Sequence, residues 1–149
     1  MAVLDVITYP NPILRQPTVA ITTFDEKLNK LTNDMIDTMR HYQGVGLAAP
    51  QIGILEKLFV VEFEDTLLTF VNPTLKDPSG SEQDYEGCLS IPDLKVHVER
   101  PSTITISYQD ISGNSNTRTF DGFLARVIQH EYDHLNGVLI IDKGKPEYD

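Results

Sequence analysis

The stretch QHEYDH, residues 129–134, sets two histidines four residues apart with a glutamate directly after the first. On a helix this spacing puts His130 and His134 on one face with Cβ atoms roughly 5–6 Å apart, near enough for a ring nitrogen of each to meet at one ion. Glu131, on the flank of that face, is then placed to move protons for a water activated by the ion. The bland alternative is a pair of core histidines satisfied by hydrogen bonds. Chance works against it, because a chain of this composition should show His-Glu-x-x-His in well under about one case in a hundred. So does position. On a helical wheel Phe123 and Val127 share the stripe of the two rings, Leu124, Ile128 and Leu135 flank Glu131, and Ala125, Gln129 and Tyr132 take the far side. A helix so ordered is expected to bury about half its circumference, with the motif inside the buried arc.

Two imidazoles leave a divalent ion short of protein donors, since a hydrolytic site of this kind normally has three plus an exchangeable water. After His134 the candidate donors are acidic, Asp142 among them. Before it stands Cys88 in YEGCLSIP (85–92), the one cysteine of the chain, among turn-like residues. A free cysteine is most often a small buried hydrophobe. Beside two imidazoles and a cation, however, a stabilised thiolate is the donor the site lacks. A single cysteine can form no internal disulfide, which fits a reducing compartment.

The elements that must position these residues punctuate clearly. Leu28, Leu31, Met35 and Met39 fall on one face of a helix within 23–42, with Thr23 or Asp25 to cap it and Gly44 to end it in a left-handed turn. KLFVVEF (57–63), LLTFVN (67–72), VHVE (96–99), TITISYQ (103–109) and TRTF (117–120) read as antiparallel strands, and DISGNSN (110–116) as a hairpin loop. The last helix runs from near Asp121 to about Leu135, where Asn136 and Gly137 stop it. Helix, strands and helix make an α+β fold. The length, 149 residues, suits one domain spanning 1–149. The net charge, 12 − 22 = −10, argues against nucleic acid or an anionic membrane as a direct partner. No apolar run is long enough to cross a bilayer, and the N-terminus has neither a secretory nor a transit pattern, so a cytoplasmic address is expected.

Three stretches in order, GVGLAAPQ (44–51), EGCLS (86–90) and QHEYDH (129–134), closely resemble the signature motifs of the peptide deformylases, and YPNPILRQP (9–17) looks like that family's N-terminal segment. The resemblance implies antiparallel strands packed around a central C-terminal His-Glu-x-x-His helix, with an amphipathic helix near the N-terminus. It implies hydrolysis of the N-formyl group of N-formylmethionyl peptides or nascent chains, releasing formate. The ligands would be Cys88, His130 and His134, holding one divalent ion, Fe²⁺ in the native enzyme with Zn²⁺, Ni²⁺ or Co²⁺ as substitutes. Hydroxide on the ion would attack, Glu131 would be the general base and acid, and the Gln51 amide and the Leu89 backbone N–H would stabilise the oxyanion. Val45, Gly46, Glu86, Gly87, Phe123, Arg126 and Val127 would form the substrate site, with Gly46 letting the peptide backbone come close and a Glu86–Arg100 ion pair behind the metal. Two departures stand out. Arg126 occupies a position where the family commonly has an aliphatic residue, so a more polar pocket mouth is expected. The tail IIDKGKPEYD is short, so ribosome docking is not expected. A short member of this kind would work in the bacterial cytoplasm, as a bacterial or phage-encoded protein.

Overall fold

The structure, a computed structural model, describes residues 2–148. Helix α1, Glu26–His41, starts where Asp25 caps it, its Oδ1 accepting from the backbone of Lys27 (3.1 Å) and Leu28 (3.3 Å). Its end departs from expectation. Gln43, at φ 58°, takes the left-handed conformation. Gly44 instead sits under Leu89, whose Cδ1 would lie 2.9 Å from a Cβ there.

Eight strands follow: β1 Gly46–Ala48, β2 Leu58–Phe63, β3 Thr66–Ser79, β4 Glu82–Cys88, β5 Ile91–Arg100, β6 Thr103–Gln109, β7 Ser115–Asp121 and, after helix α2 (Gly122–Leu135), β8 Gly144–Tyr148. They form two antiparallel sheets, ordered β1-β2-β3-β6-β7 and β4-β5-β8. The segment read as LLTFVN continues to Ser79, and VHVE is only the middle of β5. Three strands escaped the sequence reading. The stretch EQDYEGC of β4 has no β-branched residue and no apolar alternation, GLA of β1 is only a step long, and GKPEY of β8 is polar and contains proline. Each forms because a neighbour supplies the backbone partners.

The five-stranded sheet is covered on both faces. In β2, Phe59 and Val61 point to α2, where they pack with Phe70, Ile104, Ile106, Ala125, Val127 and Ile128. The alternate residues Leu58 and Val60 pack with Met35, Met39 and Val71 under α1. Phe59 and Phe70, stacked at 4.8 Å and fully buried, each contribute roughly 1.5–3 kcal/mol by removal from water. A third apolar cluster joins β5 to Leu14, Leu139 and Ile140.

Helix α2 sits between the two sheets, and more of it is buried than half a circumference. Ala125 and Gln129, on the expected outer side, are both buried, and Gln129 Nε2 donates to the Pro101 carbonyl at 2.9 Å. Phe123, on the expected inner stripe, is 45% exposed because it lies in the first turn of the helix, where its ring meets Phe63 at 4.8 Å.

Candidate active site

Cys88 ends β4, and Leu89 and Ser90 make the two-residue turn into β5. A register shift between Glu86 and Cys88 re-aims the strand at this point, as bulges do. His130 and His134 enter from α2. The three donor atoms lie within 4.8 Å of one another, with Cys88 Sγ 3.4 Å from His134 Nε2. Two ligands at bonding distance from one tetrahedral ion stand about 3.4–3.6 Å apart, so the donors fit a single cation. Asp142, the acidic alternative, is elsewhere: it pairs with Arg15 and accepts from the Leu139 backbone at 2.9 Å.

His130 Nδ1 donates to Glu86 Oε1 at 3.0 Å, which fixes the ring and leaves Nε2 for an ion. Glu86 is itself saturated. Oε1 also accepts from Arg100 Nη2 (2.8 Å), and Oε2 from Arg100 Nε (2.5 Å) and Arg126 Nη1 (2.7 Å). Burial works to raise its carboxyl, but the bonds from Arg100 and His130 outweigh that and hold it at about 2. Burial disfavours a charged His130, yet the charge of Glu131 and the side-chain hydrogen bonds to Cys88 and Glu86 raise its pKa well above the ordinary histidine value. The field that favours a proton there would equally favour a cation. His134 goes the other way, lowered by burial and by the charges of His130 and Arg100.

Burial pushes the Glu131 carboxyl up to about 7, near the pH at which a general base works best. Glu131 and His134 are buried, and among the described residues Glu131 Oε1 and His134 Nδ1 have no hydrogen-bond partner. A buried carboxylate oxygen costs free energy unless something outside the chain satisfies it. Gly46 makes room for this group: a Cβ there would stand 2.6 Å from Glu131 Oε2. The close neighbour of Gly46 is therefore the Glu131 carboxylate, a role the sequence did not show.

Gln51 is pinned on both sides of its amide. Its Oε1 accepts from the Ala48 backbone at 2.9 Å, and its Nε2 donates to Ser90 Oγ at 3.1 Å while facing Cys88 Sγ at 3.7 Å. Ser90, fully buried, is a supporting residue that sequence reasoning passed over. So is Asp133, which accepts from Arg100 Nη1 at 2.9 Å. The donors open onto a cavity of about 350 Å³. Val45, Gly46, Glu86, Gly87, Phe123, Arg126 and Val127 all line it, together with Gln51, Leu89, Cys88, His130 and Glu131, while His134 is not among the lining residues. Gln43 and Tyr85 line it too, though only tertiary structure brings them there. The polar mouth expected from Arg126 is not what forms. Arg126 is 5% exposed, and its guanidinium is engaged by Glu86, by the Val98 carbonyl (3.1 Å) and by the Glu82 carbonyl (2.8 Å).

A cysteine sulfur and two imidazoles converging beside a buried carboxylate, at the wall of a cavity, are the equipment of a metal-assisted hydrolase. A family model described as polypeptide deformylase matches residues 3–148. The peptide deformylase of Desulfotalea psychrophila is 48% identical over 148 residues, covering 95% of this chain and 88% of that protein. A crystal structure of peptide deformylase from Thermotoga maritima superposes with a TM-score of 0.95 at 41% identity, covering 97% of this chain and 99% of that one. A Synechococcus elongatus peptide deformylase in complex with actinonin gives a TM-score of 0.93 at 42% identity, covering 95% and 79%. The chain belongs to the polypeptide deformylase family.

Proposed function

We propose that residues 1–149 work as one catalytic unit that removes the N-formyl group from N-formylmethionyl peptides and releases formate, with the cavity beside Cys88, His130 and His134 as its active site. The observation that carries this reading is the set of three donors within 4.8 Å of one another beside the unpartnered Glu131 oxygen. A divalent cation held by these three side chains would polarise the formyl carbonyl and make water acidic enough to attack at neutral pH. The mixed thiolate and imidazole set suits Fe²⁺ or Zn²⁺; Fe²⁺ is the native ion in this reading, with Ni²⁺ and Co²⁺ as working substitutes.

Glu131 takes the proton of the attacking water and returns it to the departing amine, which requires its carboxylate form at the start of the cycle. The Gln51 amide donates to Ser90 Oγ and to Cys88 Sγ; the N–H on the sulfur side turns to the developing oxyanion, which the Leu89 backbone N–H also meets. The peptide lies extended between β1 and β4, which are edge strands of the two sheets and contribute Gly46, Glu86 and Gly87 to the cavity wall, with Val45 just before β1. The methionine side chain enters between Phe123, Val127 and the stem of Arg126. Among the described residues no helix is long and apolar enough to cross a membrane. The relatives from Desulfotalea psychrophila and Thermotoga maritima are bacterial proteins, and this reading places the enzyme on nascent chains in the bacterial cytoplasm.

The test is formate release from a formyl-Met-Ala-Ser peptide by anaerobically purified protein, with metal analysis and a Glu131→Ala control. Formate from the wild type, and a loss of about 10²–10⁴-fold in the variant, is the expected result. No formate from metal-loaded wild type would overturn the reading.

A further inference from the structure

We propose that Arg126 is a positioning residue for the metal centre, acting through Glu86 to hold the cysteine-bearing strand and the histidine-bearing helix in register. The donors come from two separate elements, Cys88 from β4 and the histidines from α2, and nothing covalent fixes one against the other. Arg126 spans the join. Projecting from α2 one turn before His130, it reaches the Glu82 carbonyl at the start of β4, the Val98 carbonyl of β5 and Glu86 Oε2, two residues before Cys88. Glu86 Oε1 in turn holds His130 Nδ1. One guanidinium thus ties both strands of the β4–β5 hairpin to the helix, and ties the carboxylate that orients a ligand ring.

Arg100 binds the same carboxylate, yet it differs in what it anchors. It arises from β5 itself, and it reaches α2 by a hydrogen bond to Asp133, which lies one residue before His134. Without Arg126, the Glu86 carboxylate would keep a counter-charge but lose its direct link to the first half of α2, and β4 would lose its tie at Glu82. Buried to 5% and facing three acceptors, Arg126 uses the planar fork that lysine lacks. The stem of Arg126 lines the cavity while its guanidinium is a brace behind the donors.

This inference rests on the metal centre proposed above. The experiment is Co²⁺ titration of the metal-free protein, read by the visible ligand-field bands and by chelator competition. Wild type, Arg126→Met, Arg126→Lys, Glu86→Gln and the Arg126→Met/Glu86→Gln double variant are compared. Wild type is expected to bind one equivalent; its failure to do so would sink the centre itself, not merely the brace. Arg126→Met is expected to lose about 10–100-fold in affinity with altered bands, the range typical of outer-shell partners, and Arg126→Lys to fall between it and wild type. In the Glu86→Gln background the same Met substitution should add less than about 3-fold, because the two side chains act as one unit. Wild-type affinity and spectrum in both Arg126 variants, or fully additive losses in the double variant, would overturn the proposal. Should Arg126→Met not fold, Arg126→Lys alone decides, since unchanged affinity there contradicts the brace.

Discussion

Helix α2 faces two unlike neighbours. Toward β2, β3 and β6 it presents Ala125, Val127, Ile128 and Leu135 to Phe59, Val61, Phe70 and Ile106, an apolar join. Toward β4 and β5 it presents Arg126, His130 and Asp133 to Glu86, Arg100 and backbone carbonyls, and the apolar cluster on that side contains no residue of α2. The first join is non-directional and tolerates volume-conserving change. The second is built from charge-assisted hydrogen bonds whose geometry is specific and whose buried charges are costly when unpaired. The metal donors straddle the second join. A site that must hold a sulfur and two nitrogens at fixed separation therefore rests on the directional contact, while the apolar one contributes buried surface that sets no fixed separation.

Removing the shared carboxylate should break the polar join most severely. Glu86→Ala leaves the guanidiniums of Arg100 and Arg126 buried without their common partner, and urea unfolding should show a loss on the order of 3–5 kcal/mol. A loss below that of an ordinary surface substitution would mean that water reaches the join. Acid separates the two joins more gently. The Glu86 carboxyl is held at about 2 in the folded chain against an ordinary 4.5, so its contribution is complete above pH 4.5 and disappears as pH falls from there toward 2. That contribution is roughly 3 kcal/mol at neutral pH. Wild type should lose this increment between those limits in equilibrium unfolding, and Glu86→Gln should lack that part of the pH dependence.

A subtler break moves chemistry and leaves both joins intact. In Gly46→Ala the new methyl would collide with the Glu131 carboxylate, so kcat on a formyl-Met peptide should fall about 100-fold while Co²⁺ affinity stays near wild type. Equal turnover would show that Glu131 works from another position. On the apolar side, Ile128→Val should cost only about 0.5–1.5 kcal/mol by thermal unfolding. Its metal affinity should not change; a shift there would erase the distinction between the two joins.

What was legible in the sequence follows the same division. Both helices showed in the 3.6-residue spacing of Leu28, Leu31, Met35 and Met39 and of Val127, His130 and His134, because burial on one face is written in residue type. Strand β6 was legible to the residue, since its burial alternates regularly and all its side chains but Ser107 and Gln109 are β-branched or aromatic. Strand β4 was not, because its residues are polar and its existence depends on pairing with β5. The donors could be named from motif spacing and resemblance, but residue type alone left the third one open between Cys88 and an acid. The direction of Arg126 and the demand for a glycine at Gly46 depend on atoms brought in from distant segments, and no local pattern encodes them.

The central claim is that Cys88 and both histidines share one ion. X-ray absorption on the metal-loaded wild type tests it most directly. One sulfur scatterer at about 2.3 Å and at least two nitrogen scatterers near 2.0–2.1 Å are expected for zinc, with the sulfur lost in Cys88→Ser. A first shell of nitrogen and oxygen alone in the wild type would contradict it.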